Sequence, residues 1–170
     1  EQKIYSDVDK EAIPAIPQNV IEPFLTQPLV VEDGMLDKSP RIVATQENRV
    51  NVGAGNNIYA QGIARPAAKL WQIYRPGLPL KDPDTGEVLG REAIYLGTAR
   101  PVRDGGEGEA TTLEVITAKL EIGRGDSLVP AAHPEVISYV PHAPNKQIQG
   151  RIINIYGGVG EAGRHSIVSL

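Results

Sequence analysis

Glycine and proline interrupt this chain more regularly than any other feature of its sequence. The 170 residues include 18 glycines and 14 prolines, so one of the two occurs about every five residues. Proline removes a backbone hydrogen-bond donor and breaks the interior of a helix, and glycine weakens a helix through its conformational freedom. Few helices longer than two turns can therefore fit into this chain.

The aliphatic residues favour strands over helices. The chain has 17 isoleucines and 15 valines against 12 leucines. Branching at Cβ restricts the side-chain rotamers in a helix and fits the pleated, half-buried surface of a sheet. We therefore predict an all-β fold with at most one or two short helices. We expect it to form one or two small β-barrel-like modules with an extended N-terminal arm.

Residues 1–40 differ from the rest of the chain in charge. They carry eight acidic and three basic side chains, whereas the other 130 residues carry 13 acidic and 14 basic ones. The prolines in Ala12–Pro17 hold the residues before them in extended conformations. We predict that residues 1–40 form a proline-rich, acidic arm whose apolar side chains pack on a β body.

Turn signals divide the remainder into short strands. The predicted strands are Leu29–Val31, Arg41–Thr45, Arg49–Val52, Asn57–Gln61, Leu70–Arg75, Arg91–Arg103, Ala110–Lys119 and Val136–Val140. In Asp82–Glu87 the proline presets φ, Asp82 accepts local backbone hydrogen bonds and Gly86 tolerates a positive φ, which indicates a hairpin turn. We predict a β-barrel-like module over residues 41–130 and a proline-rich linker over residues 131–146.

The last 24 residues echo part of the preceding module. The glycine-rich turn Gly105–Ala110 lies between two predicted strands, and Gly157–Gly163 repeats this order near the end of the chain. The second copy stops after one strand. We therefore predict that residues 147–170 begin a second, incomplete β module that continues past Leu170.

Composition argues against several classes of function. The chain has no cysteine, which excludes disulfides and thiolate metal ligands. A net charge of -4 without a basic stripe argues against nucleic acid as a partner. No apolar run approaches the roughly 20 residues of a membrane span. The spacing of His133, His142 and His165 matches no common zinc pattern, so we expect neither a metal nor a cofactor.

One tetrapeptide has the letters of a catalytic motif. Gly125-Asp126-Ser127-Leu128 matches the nucleophile block of the GDSL hydrolases, in which serine lies on a strand-to-helix turn beside an activating histidine. Here Val129 and Pro130 follow directly and disfavour such a helix. We interpret the tetrapeptide as a surface β-turn, name no catalytic residue and predict that the chain is not an enzyme.

Aromatic residues on predicted strands offer a candidate binding face. Trp71 alternates with Ile73, which indicates that both face the core, whereas Tyr74 lies on the opposite face of the same strand. Exposed rings stack on sugars and are favoured at interfaces. The candidate residues for a glycan or partner face are Tyr59, Tyr74, Arg75, Tyr95 and Tyr156.

An ordered series of short motifs extends over nearly the whole chain, from about residue 11 to residue 170. The series consists of Ala12-Ile-Pro-Ala-Ile-Pro17, Pro23-Phe-Leu-x-x-Pro-Leu-Val-Val31, Val52-Gly-Ala-Gly-Asn-x-Ile-Tyr59, Ile73-Tyr-Arg-Pro-Gly77, Asp82-Pro-Asp-Thr-Gly-Glu-x-Leu-Gly90, Glu92-Ala-Ile-Tyr-Leu-Gly97, Gly125-Asp126, Val140-Pro-His-Ala-Pro144 and Gly150-Arg-Ile-Ile-x-Ile-Tyr-Gly-Gly158. It resembles the region C-terminal to the LysM domain in proteobacterial LysM-containing envelope proteins.

The resemblance implies an exported protein of the periplasm or cell envelope. Its contact with peptidoglycan would be made by an upstream LysM module, whose sugar-binding residues correspond to no position in this chain. No catalytic residue is implied. The preferred function is that of a non-catalytic spacer, docking or interaction module, with other envelope proteins as further partners. Direct binding of glycan by this region and a cryptic hydrolase activity are the alternatives.

Overall fold

The structure, a computed structural model, describes residues 30–64, 67–106, 108–131, 143–156, 161 and 168–170. These residues form eleven strands: β1 Val30–Val31, β2 Arg41–Thr45, β3 Asn51–Val52, β4 Asn57–Gln61, β5 Trp71–Lys81, β6 Val88–Arg103, β7 Thr111–Ala118, β8 Ile122–Gly123, β9 Ser127–Pro130, β10 Asn154–Ile155 and β11 Val168–Ser169. Two single-turn 3₁₀ helices, Leu36–Lys38 and Gln46–Asn48, are the helices of the described part. The all-β prediction is therefore confirmed.

Six of the strands close into a barrel-like ring. Around the ring the order is β6, β5, β9, β2, β4 and β7, and β7 pairs again with β6. Every one of these pairings is antiparallel. Closure leaves the ring without free edges at these ladders, which is one way that small β proteins avoid edge-to-edge association.

The ring encloses the main hydrophobic core. Alternate residues of a strand point to the same face, and one face of each strand points into the ring. Each of the six strands therefore contributes at least one fully buried side chain. The buried cluster consists of Ile42, Val52, Ile58, Ala60, Trp71, Ile73, Leu96, Ala99, Leu113, Val115, Ile122 and Leu128. Trp71 and Ile73 both belong to it, as their alternation predicted.

A second, smaller core lies on the outer face of β5 and β6. It contains Val31, Leu36, Tyr74, Ala93 and Tyr95, with Val129 packed against it. The chain from β1 to the first 3₁₀ helix covers this face, since Val31 and Leu36 are buried there. Both faces of the first part of β5 are therefore buried.

Strand β5 is longer than its sequence indicates. The predicted strand ends at Arg75, before Pro76 and Gly77, but β5 continues to Lys81 and forms a hairpin with β6. Beyond Tyr74 the described partner of β5 is β6 alone, and the register of their pairing shifts between Pro76 and Pro79. A proline is tolerated at an irregularity or on a strand edge, where its missing N–H breaks no ladder bond.

The hairpin turn itself has the predicted chemistry. Asp82 Oδ1 accepts hydrogen bonds from the amides of Asp84 (2.8 Å) and Thr85 (2.9 Å). Gly86 has a φ of 73°. The prediction of a turn at Asp82–Glu87 is therefore confirmed. Residues 1–29 and most of the linker, 132–142, lie outside the described residues, so the arm, the linker and the module boundaries stay predictions.

Candidate functional site

Two of the five candidate residues are part of the second core. Tyr74 is 1% exposed and Tyr95 is 7% exposed. Their rings meet edge to face, with centroids 5.6 Å apart and planes at 63°. Burial raises the pKa of Tyr74 above its usual value, and the neighbouring phenols of Tyr95 and Tyr156 raise it further. Neither ring faces solvent, so these two residues do not offer a surface on which a sugar could stack.

Tyr156 joins this pair from the C-terminal segment. Its side chain is half-buried, and its hydroxyl oxygen accepts a hydrogen bond from the amide of Tyr95 (3.3 Å). The same hydroxyl donates to the carbonyl of Ala93 (3.4 Å). The structure therefore brings Tyr74, Tyr95 and Tyr156 together, although they are up to 82 positions apart in the sequence.

Lys119 is a member of this group that sequence reasoning missed. Its Nζ lies 5.2 Å from the centroid of the Tyr95 ring, within the range of a cation–π contact. The backbone amide of Lys119 also donates to the carbonyl of Leu96 (2.7 Å). Both contacts follow from the pairing of β7 with β6, and no local pattern around Lys119 indicates them.

Tyr59 lies apart from the tyrosine group. It is half-buried on β4, where it pairs with Thr112 of β7 and Ala44 of β2. Around the ring β4 is separated from β6 by β7 and from β5 by β2 and β9, so Tyr59 lies on neither strand of the β5–β6 hairpin. The candidate residues therefore do not form one continuous face.

Arg75 follows Tyr74 in the sequence but belongs to a polar site. Its Nε and Nη2 lie 2.8 and 2.9 Å from the two carboxylate oxygens of Asp126, which is a bidentate pair. Nη2 also donates to the carbonyl of Glu121 (3.0 Å). The hydrogen bond to Asp126 raises the pKa of Arg75 above its usual value. Arg75 thus ties β5 to the turn between β8 and β9.

The interpretation of Gly125–Leu128 as a surface β-turn holds only for Gly125, which lies in an exposed turn, whereas Ser127 and Leu128 begin β9 and are buried. Asp126 is 3% exposed and Ser127 is fully buried. The Ser127 hydroxyl donates to the carbonyl of Leu36 (3.2 Å), and Asp126 accepts a further bond from the amide of Gly123 (2.8 Å). The covering of β9 by the first 3₁₀ helix buries the serine, and its hydroxyl is used in a structural contact.

A cleft of about 650 Å³ opens between the end of β4 and the loop that joins β6 to β7. Its lining consists of Ala60, Gln61, Gly62, Ile63, Gly105, Gly106, Gly108, Glu109 and Thr111. Glu109 accepts a hydrogen bond from the amide of Gly106 (3.0 Å), and Thr111 accepts one from Gly105 (3.4 Å). A Cβ on Gly105 would lie 2.5 Å from the carbonyl oxygen of Glu109. Gly105 and Gly106 therefore allow the β6–β7 loop to fold back on itself.

The described residues contain neither a cluster of potential metal ligands nor a membrane-spanning helix. No group of three or more histidine, cysteine, aspartate or glutamate side chains in this part of the chain could hold a metal ion. None of its helices is long and apolar enough to cross a membrane. His133, His142 and His165 lie outside the described residues.

No protein-family model matches the chain, and none of the curated proteins is significantly similar to it.

Proposed function

We propose that this chain is a non-catalytic module of a LysM-type, peptidoglycan-associated envelope protein. In this proposal it acts in the periplasm as a spacer or docking module, and an upstream LysM module makes the contact with glycan. The ordered motif series from residue 11 to residue 170 is what suggests the class of protein. The observation that most favours a spacer or docking role is that the β5–β6 hairpin extends beyond the closed ring.

The outer part of this hairpin extends beyond the closed ring. Only Trp71–Tyr74 of β5 pair with β9, and only the part of β6 from Gly97 onward pairs with β7. Among the described residues, β6 is the one partner of the outer part of β5 from Arg75 to Lys81, which has a length of about 20 Å at roughly 3.3 Å per residue. A hairpin extension of this length projects from the ring and can separate or contact other parts of an assembly.

Exposed apolar side chains favour a docking role for this hairpin extension. Leu78 is 67% exposed, Leu89 is 55% exposed and Val88 is 41% exposed. Large exposed apolar side chains that occur close together mark interaction surfaces more often than isolated ones do. Val88 and Leu89 are adjacent in β6, and Val88 pairs with Lys81 near the end of β5.

The contacts of the tetrapeptide Gly125–Leu128 support a non-catalytic role. A serine nucleophile requires an accessible hydroxyl within hydrogen-bond reach of a base. The Ser127 hydroxyl instead donates to a backbone carbonyl in a buried position, and Asp126 is held by Arg75. The two polar residues of the motif thus have structural partners that account for their presence.

Co-sedimentation with purified peptidoglycan sacculi tests the proposal. We expect this chain to stay in the supernatant, while a LysM-containing protein used as positive control sediments with the sacculi. Analysis of the same supernatant for soluble glycan fragments tests catalysis, and we expect none above the level of sacculi alone.

Two outcomes would contradict the proposal in different ways. Sedimentation of the chain with sacculi would favour the alternative of direct glycan binding, and Tyr59→Ala and Tyr156→Ala would then be the first variants to compare. Release of soluble fragments would favour the hydrolase alternative.

A further inference from the structure

The outer edge of β6 changes its partner along its length. Val30 and Val31 of β1 pair with Glu92 and Arg91, and the pairing with β7 begins at Gly97. Within the described residues, the stretch from Ala93 to Leu96 lies between these two ladders. Because buried backbone amides and carbonyls need hydrogen-bond partners, this interval requires some other group.

The hydroxyl of Tyr156 contacts two backbone groups in this interval. It accepts from the amide of Tyr95 (3.3 Å) and donates to the carbonyl of Ala93 (3.4 Å). One phenol thus binds a donor and an acceptor two residues apart on the same strand, as a residue of a neighbouring strand would do. The Tyr156 side chain therefore takes the place of a ladder partner at this point.

A second contact holds the same segment near the turn of the hairpin. Arg151 Nη1 lies 2.5 Å from Asp84 Oδ2, and the two side chains are 63% and 70% exposed. Asp84 belongs to the turn between β5 and β6, whereas Ala93 and Tyr95 lie nearer the ring. Arg151 to Tyr156 therefore contact the hairpin at two separate points along its length.

We propose that Tyr156 is a latch that fixes residues 143–156 to the β5–β6 hairpin, and that its opening frees the β6 backbone at Ala93 and Tyr95. This inference does not depend on the proposed function, because it concerns contacts within the chain.

Both contacts are weak enough to open while the ring stays folded. The N–H···O bond of 3.3 Å exceeds the usual 2.7–3.2 Å, and the O–H···O bond of 3.4 Å exceeds the usual 2.5–3.0 Å. An exposed ion pair contributes little and is screened by salt. The main core inside the ring includes neither Tyr156 nor Arg151. Opening therefore removes no side chain from that core.

Amide exchange of the full chain, measured by NMR, tests the latch. Tyr156→Phe keeps the aromatic side chain and removes the hydroxyl. We expect the Tyr95 amide to exchange about two- to fivefold faster, at the lower end of the effect of losing one hydrogen bond, because this bond is long. Tyr59→Phe is the matched control, because Tyr59 is half-buried like Tyr156 but lies on β4. In the control the Tyr95 amide should exchange at the wild-type rate.

Trypsin provides a second measurement, because Lys146 and Arg151 are cleavage sites within the latched segment. We expect faster cleavage after Arg151 in Tyr156→Phe than in Tyr59→Phe. Cleavage in the wild type should also accelerate as salt is raised to about 0.5 M, where exposed ion pairs are strongly screened. Asp84→Asn, which keeps the cleavage site, should remove most of this salt dependence.

Either of two results would overturn the inference. In the first, Tyr156→Phe leaves both the Tyr95 amide and the cleavage rate unchanged, which means that the hydroxyl does not hold the segment. In the second, the variant also loses protection at the ring amides of Ile58 and Leu113, which means that Tyr156 belongs to the folding core.

Discussion

At the scale of single residues, Asp126 is a charged side chain in a buried position, with 3% of its surface exposed. Its carboxylate is buried and accepts three hydrogen bonds, two from Arg75 and one from the amide of Gly123. A buried charge is costly unless it is paired and hydrogen-bonded. The bidentate guanidinium contacts both carboxylate oxygens, and the backbone amide of Gly123 donates a second hydrogen bond to Oδ2.

We predict that Arg75→Ala lowers the free energy of unfolding by about 2 kcal/mol. Loss of the guanidinium leaves Asp126 charged and partly unsatisfied. The effect should be smaller than the roughly 3–5 kcal/mol seen on breaking fully buried pairs, because the Arg75 side chain is 45% exposed and solvent screens it. Urea denaturation with a common m-value measures the difference.

Arg100→Ala is the control for this prediction. Arg100 makes a similar pair with Glu114, with Nη2–Oε2 2.8 Å, but the side chains are 60% and 31% exposed. Its removal should cost about 0–1 kcal/mol. Equal losses in the two variants would show that burial of Asp126 does not determine the energy of its pair.

At the scale of secondary-structure elements, the charged form of the exposed Asp82 side chain supports the turn between β5 and β6. Hydrogen bonds from the amides of Thr85 and Asp84 lower the pKa of Asp82 below its usual value of 3.8. A lowered pKa in the folded state means that the carboxylate form stabilises the turn. This contribution is complete above pH 3.8 and is lost as the pH falls through the folded value.

We therefore predict that the Thr85 amide becomes less protected from exchange as the pH falls below about 4, the usual range for an aspartate. Asp82→Ala should remove most of this additional pH dependence, once the intrinsic effect of pH on exchange is subtracted. Asp104→Ala, which changes an exposed carboxylate in the β6–β7 loop, should leave the dependence as in the wild type. A wild-type dependence in Asp82→Ala would mean that another group titrates.

Turns of this kind are predictable from sequence, whereas the burial of β5 is not. The chemistry of Asp82–Glu87 is local, so the residue types were sufficient. Tyr74 was assigned to the face opposite the core, which was correct, but that face is covered by Val31 and Leu36. Leu36, which covers Tyr74 and Ser127, is separated from them by 38 and 91 positions in the sequence, and no local pattern encodes these contacts.

At the scale of the whole molecule, closure of the ring depends on the pairing of β6 with β7. Strand β6 has 16 residues and pairs with β5 along one edge, with β1 near its start and with β7 towards its end. Gly97 lies where the β7 ladder begins, opposite Ala118. A Cβ built on Gly97 would be 2.0 Å from the carbonyl oxygen of Thr117. The backbones of β6 and β7 therefore approach each other more closely than any side chain allows.

We predict that Gly97→Ala destabilises the ring by about 3 kcal/mol or more, at or above the upper end of the range for overpacked sites. The contacts at Gly97 are backbone atoms of Thr117 and Ala118, so they cannot relieve the clash by a change of rotamer. The two strands must separate, and this opens the ladder that closes the ring.

Gly53→Ala is the matched control, because a Cβ there meets no atom within 4 Å and the residue does not have a positive φ. Its stability should change by less than about 1 kcal/mol. Thermal and urea unfolding measure both effects, and amide exchange at Thr98 and Val115 locates the opening. A Gly97→Ala protein as stable as Gly53→Ala would mean that the close approach of β6 and β7 is not required for closure.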